Sequence, residues 1–144
     1  MRGRRWMWEL VRAQDVLTEL GVSPQLYQLR LLKMDVEGFE LQALQGLDLK
    51  HQFPFDYVTL EFFPAMLTSA GTTDPADLLV YLWSQGYRYL EFDATNKNVE
   101  SYARVDTGGD TEQAVLAWGQ KMVADGYAKD GKEYHVNLLA KRVV

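Results

Sequence analysis

The stretch Leu31-Leu32-Lys33-Met34-Asp35-Val36-Glu37-Gly38-Phe39-Glu40 passes from an apolar segment into three carboxylates and a glycine within six residues. What lies on either side has two different periods. Residues 27–34 (YQLRLLKM) read as a strand that ends at Asp35. Residues 37–47 (EGFELQALQGL) set Phe39, Ala43, Leu44 and Leu47 on one face at helical spacing, which predicts a short amphipathic helix closing near Gly46. A strand feeding a helix through an acidic junction is the unit of an α/β layer.

The same alternation extends in both directions. Residues 6–20 carry Trp6, Leu10, Val11, Val16, Leu17 and Leu20, a partial helical stripe stopped at Gly21 and followed by a turn at Ser23-Pro24. Residues 56–63 (DYVTLEFF) predict a second strand that stops at Pro64. A small-residue linker at 69–73 leads to Asp74-Pro75, where proline opens a helix containing Leu78, Leu79, Leu82 and Trp83 and ending at Gly86. Residues 87–92 (YRYLEF) alternate as a strand, and 94–109 read as a polar loop. Asp110 can cap a helix to about residue 125, with Val115, Trp118 and Met122 in register, and 134–141 (YHVNLLAK) is a last strand. Four strands alternate with four helices, so the expected fold is α/β with parallel neighbours, in a single domain spanning residues 1–144.

Bulk properties narrow the function classes. The 144 residues are 47% hydrophobic and 24% charged, enough to bury roughly two thirds of the unfolded surface. The net charge of −5 argues against a nucleic-acid backbone as partner, and the basic run Arg2-Gly3-Arg4-Arg5 reads as a solvated end. The absence of cysteine excludes disulfides and thiolate metal sites. Glu9 and Arg12 interrupt the first apolar residues, so no signal peptide is read there; no apolar run reaches the ~18 residues of a membrane span. The expectation is a soluble, intracellular protein without membrane partners.

In an open α/β sheet, ligands bind outside the carboxyl ends of the strands. Asp35 ends the first strand and Glu61 stands near the end of the second. If those strands are parallel neighbours they lie ~4.8 Å apart, and both acids can face one crevice. Glu37 and Glu40 fall in the first turn of the following helix, where the dipole favours negative charge. Asp35 can equally be a helix cap, with the glutamates as dipole partners. Against that bland reading stand Gly38, which costs ~1 kcal/mol relative to alanine in a helix and implies a close backbone approach, and Glu61, an acid inside an apolar run. His51 reads as a surface loop residue and His135 as a core or edge histidine. No metal-ligand spacing, nucleophile elbow or phosphate loop is present.

The segment LLKMDVEGFELQALQGL resembles the signature of the FkbM-type methyltransferases: an apolar strand, K-[IM]-D-[VI]-E-G, a variable residue, E, and a short helix. DYVTLEFFP, DLLVYLWSQGYRYLEF and HVNLLAKR resemble the family's later segments, so the likeness extends over residues 15–142. The resemblance implies S-adenosylmethionine-dependent methyl transfer, usually to an oxygen acceptor, on a Rossmann-like class I methyltransferase sheet. It makes Asp35, Glu37 and Glu61 the expected catalytic rim, and Asp35 and Gly38 the expected cofactor contacts. The chain carries no G-x-G-x-x-G, and its four strands correspond to the fourth through seventh of that sheet. A partial Rossmann-like domain with weak or no cofactor affinity is therefore expected, its first strand offering an open edge for self-association. The alternative is a catalytically inactive paralogue that serves as a small α/β interaction module.

Overall fold

A computed structural model describes residues 11–90 and 103–143. Helix α1 spans Ala13–Glu19, strand β1 Leu31–Met34, helix α2 Glu40–Gln45, strand β2 Tyr57–Phe62, helices α3 Pro64–Ser69 and α4 Ala76–Ser84, strand β3 Tyr87–Leu90, helix α5 Glu112–Asp130 and strand β4 Val136–Arg142. Parts of four expectations fall outside these residues: the basic run 2–5, the start of the 6–20 helix, the end of the 87–92 strand and most of the 94–109 loop.

The sheet order is β1-β2-β4-β3. β1 and β2 pair in parallel, from Leu31 beside Tyr57 to Met34 beside Leu60. β4 pairs antiparallel with both β2 and β3. This corrects the expectation of parallel neighbours throughout. The reason lies in α5. Asp110, just before α5, touches Arg88 near the start of β3, while the turn after α5 packs against α3 at the other end of the sheet. α5, 19 residues long, thus climbs the layer beside α4, ~28 Å at 1.5 Å per residue, and delivers the chain at the carboxyl end. The strand that follows can only run back down.

Strand burial follows the pleat. Val58, Leu60 and Phe62 alternate with the half-exposed Tyr57, Thr59 and Glu61. The buried set joins Met34, Tyr87, Tyr89 and Ala140 with Leu44 of α2, Leu67 of α3 and Leu78, Leu79 and Leu82 of α4 in one core. Both parallel crossovers, β1 to β2 and β2 to β3, move in the same direction across the sheet. Right-handed crossovers therefore place their helices on one face. The opposite face shows Leu31, Lys33, Asn137 and Lys141 to solvent, with Leu139 its buried member.

Two polar anchors fix the core. Tyr87 donates its hydroxyl to the Phe55 carbonyl at 2.8 Å, and Tyr89 donates to the Leu79 carbonyl at 2.5 Å. Gly119 of α5 lets that helix approach α4 closely, since a Cβ there would stand 2.9 Å from both Ala76 Cβ and Leu79 Cδ1. α5 runs past the expected end at 125 because Gly126 makes room for the Tyr134 ring. α1 packs through Leu17 and through a bond from the Gln14 amide to the Gly46 carbonyl, beside the end of α2.

Candidate functional site at the carboxyl end of the sheet

β1 ends at Met34 opposite Leu60. Asp35 follows directly after that pairing ends, and Glu61 stands one residue beyond Leu60 in β2. Asp35 and Glu37 are exposed, and Glu61 is half-exposed. The side chain of Glu61 projects on the sheet face away from the helices, because its neighbours Leu60 and Phe62 point into the core.

The junction 35–39 is not the first turn of a helix. Glu37 has φ +53° and Gly38 φ +98°, both in the left-handed region, so α2 starts only at Glu40. Gly38 is required twice over. Its backbone conformation disfavours a side chain, and a Cβ there would sit 2.5 Å from the Met66 carbonyl oxygen of α3. The close approach anticipated at this glycine is thus made by protein backbone. Proline 64, which stops β2, also opens α3 as its first residue, and so brings Met66 within reach. The sequence predicts no helix between the stop at Pro64 and the linker at 69–73.

Glu40, read from the sequence as a helix-dipole partner, instead holds the junction together. It is 3% exposed, and its Oε1 accepts from the amides of Val36 at 3.2 Å and Gly38 at 3.3 Å. The amides on either side of Glu37, one of them that of Gly38, are thereby tied to the start of α2. A glutamate at a helix start that reaches back to the preceding amides is a capping signal, and its spacing from Val36 and Gly38 was the available clue.

His135 joins the rim from the neighbouring strand. Glu61 pairs with Asn137 in the β2–β4 register, which brings His135 Nε2 to 3.5 Å from Glu61 Oε1. His135 Nδ1 lies 2.9 Å from the Glu133 carbonyl. A carbonyl only accepts, so a bond there puts a proton on Nδ1, and Nε2 then donates to the Glu61 carboxylate only when the ring is the doubly protonated imidazolium. The Phe63 ring lies 5.5 Å from the imidazole, and His135 also lines a cleft of about 570 Å³ with Trp118, Met122 and Tyr134. His51 lies elsewhere, in the loop entering β2, where its amide donates to Asp48 Oδ1 at 2.9 Å. Among the described residues no group of three or more His, Cys, Asp or Glu side chains is arranged to hold a metal. No helix there is long and apolar enough to cross a membrane.

As a cradle for the expected cofactor the junction does not fit by itself. The Val36 and Gly38 amides are spent on Glu40, and the Cα of Gly38 faces Met66. Asp35 is left open to a ligand.

The open four-stranded sheet alternating with helices is consistent with a partial Rossmann-like fold of methyltransferase type. A family model described as the methyltransferase FkbM domain matches residues 21–89, from the turn after α1 to β3. No curated protein and no solved structure matches the chain.

Proposed function

We propose that these residues form the carboxyl-end rim of an FkbM-type domain that transfers a methyl group from S-adenosylmethionine to an oxygen of its acceptor. The observation supporting this reading is the parallel pairing of β1 and β2, with Asp35 directly after β1 and Glu61 next to last in β2. Asp35 orients the acceptor hydroxyl and receives its proton, and Glu61, with His135 3.5 Å from its Oε1, and Glu37 line the approach. Positioning and modest base assistance of this kind are what a methyl acceptor needs from a protein.

The test belongs in a family enzyme with measurable turnover. Replacements equivalent to Asp35→Asn and Glu61→Gln each lower kcat there by ~10²-fold, the lower end for general acid–base groups. Unchanged turnover removes the assignment. For the 144-residue chain, calorimetric titration with S-adenosylmethionine gives weak binding or none; tight stoichiometric binding would contradict the fit described above.

A second reading, a non-enzymatic α/β interaction module, is favoured by one observation. Gly38 and Glu40 are fully employed in holding the junction to α2 and α3. The signature then persists for folding alone. Methyl incorporation by the full chain, assayed with labelled S-adenosylmethionine across hydroxylated acceptors, separates the two.

A further inference from the structure

The cleft of about 570 Å³ between α5 and the first residues of β4 has the size of a small-molecule site. It stands beside the carboxyl end of β2, on the far side of that strand from β1. Its floor continues the core. The Trp118 ring lies tilted against the buried Tyr89, 5.1 Å between centroids, and Val136 pairs with the buried Phe62. Met122 follows Trp118 by one turn on the same side of α5. One wall is the ring of Tyr134, laid so close to α5 that a Cβ at Gly126 would collide with it. Trp118, Met122 and Val136 are only half-buried, so the cleft keeps apolar surface within reach of a ligand.

The charges around it cancel. Lys121 pairs with Asp125, and Lys129 stands next to Asp130. Two lysines against two aspartates give an ion no advantage over a neutral molecule. His135 closes one end, and its neutral ring has one proton for two acceptors: the Glu133 carbonyl, 2.9 Å from Nδ1, and the Glu61 carboxylate, 3.5 Å from Nε2. With the proton on Nδ1, Nε2 and Glu61 Oε1 face each other as two acceptors. A hydroxyl arriving at that end brings the donor they lack; an ether oxygen does not.

We propose that this cleft binds a neutral, flat, largely apolar molecule bearing a hydroxyl. Its body rests on Trp118, Met122 and Val136 against the Tyr134 ring, and its hydroxyl donates to His135 Nε2. Aromatic walls favour a planar ligand, because offset and edge-to-face ring contacts add to the area buried. The inference concerns binding alone, and stands whether or not the methyltransferase reading holds.

The experiment is calorimetric titration of the full chain with 2-naphthol and with its methyl ether, in mildly alkaline buffer where the naphthol is still neutral. Circular dichroism confirms that each variant folds. 2-Naphthol binds saturably at one site, and the ether binds about fivefold more weakly for want of the hydrogen bond. Met122→Asp sets a charge in the apolar floor and weakens both probes by about tenfold or more. His135→Phe keeps a ring at the end of the cleft but removes the acceptor. It leaves the ether's affinity unchanged and lowers that of the alcohol to match. Nuclear magnetic resonance locates the probe without any variant, through shifts of the Trp118 indole and His135 ring signals on titration. Absence of saturable binding overturns the proposal, as does binding that leaves those signals unmoved or is indifferent to Met122→Asp. Equal affinity of alcohol and ether for the unmodified chain, or a doubly protonated His135 ring in the free chain in that buffer, overturns the hydroxyl contact.

Discussion

Gly38 and Gly71 form a natural comparison. Their φ angles are +98° and +99°, yet a Cβ on Gly38 would stand 2.5 Å from the Met66 carbonyl oxygen and one on Gly71 meets nothing within 4 Å. Gly71→Ala therefore measures backbone strain alone, ~1–2 kcal/mol for a residue forced into left-handed space. Gly38→Ala adds a clash with backbone that can yield only by moving α3 away from the junction. Overpacking of that kind costs a further ~1–3 kcal/mol, for a total of ~2–5 kcal/mol. A domain's whole stability is ~5–15 kcal/mol. With a urea m-value of ~2 kcal/mol per M, the midpoint falls by ~1–2.5 M for Gly38→Ala and by ~0.5–1 M for Gly71→Ala. Equilibrium urea unfolding followed by tryptophan fluorescence reads both. Equal shifts in the two variants would refute the Met66 contact; no shift in either would refute the left-handed backbone.

Three further outcomes follow from the same geometry. Gly119→Ala, in mid-helix, gains ~1 kcal/mol of helix propensity but loses ~1–3 kcal/mol to overpacking against Ala76 and Leu79, so thermal unfolding shows it net destabilised or neutral, never stabilised by the full propensity gain. Burial pushes the Tyr87 hydroxyl up to about 12. Because its folded value lies above the unfolded one, its contribution is complete below pH ~10 and is lost as pH rises toward the folded value; Tyr87→Phe, less stable at neutral pH by ~1 kcal/mol for the lost bond to Phe55, closes that gap in alkaline melts. Asp110 is held below the usual carboxylate range by the hydrogen bond from Trp83 Nε1 at 2.7 Å and by Arg88 and Arg104. Its contribution is present above the ordinary aspartate value and lost as pH falls through the depressed one, so the midpoints of Asp110→Asn and the unmodified chain converge in acid and separate toward neutrality.

The layer order was legible in the sequence because each element carries its own period: alternation in YVTLEF, a helical stripe in DLLVYLW, and breakers between them. What escaped reading depends on contacts distant in the chain. Pro64 stops a strand in the sequence, but whether it also starts a helix depends on what Leu67 can bury against. The late start of α2 is decided by positive φ at Glu37 and Gly38, stabilised by a glutamate whose burial no charge pattern announces. The antiparallel direction of β4 is a property of where α5 ends, and strand periodicity is the same in either direction. Asp35 and Glu61 could be singled out as candidates because the rule that locates ligands at carboxyl ends needs only the element order. His135 was set aside because its nearness to Glu61 comes from the β2–β4 register.

The one-directional winding links these observations. Doubly wound sheets cover both faces because their connections reverse direction at a switch point, and the ligand crevice opens beside that point. Here both parallel crossovers run the same way, so among the described residues a single face is covered and β1 is the strand from which a reversal would have to begin. Asp35 follows that strand directly and so stands where the rule for open α/β sheets puts ligands, while Gly38 and Glu40 hold the chain beyond it against α3 and α2.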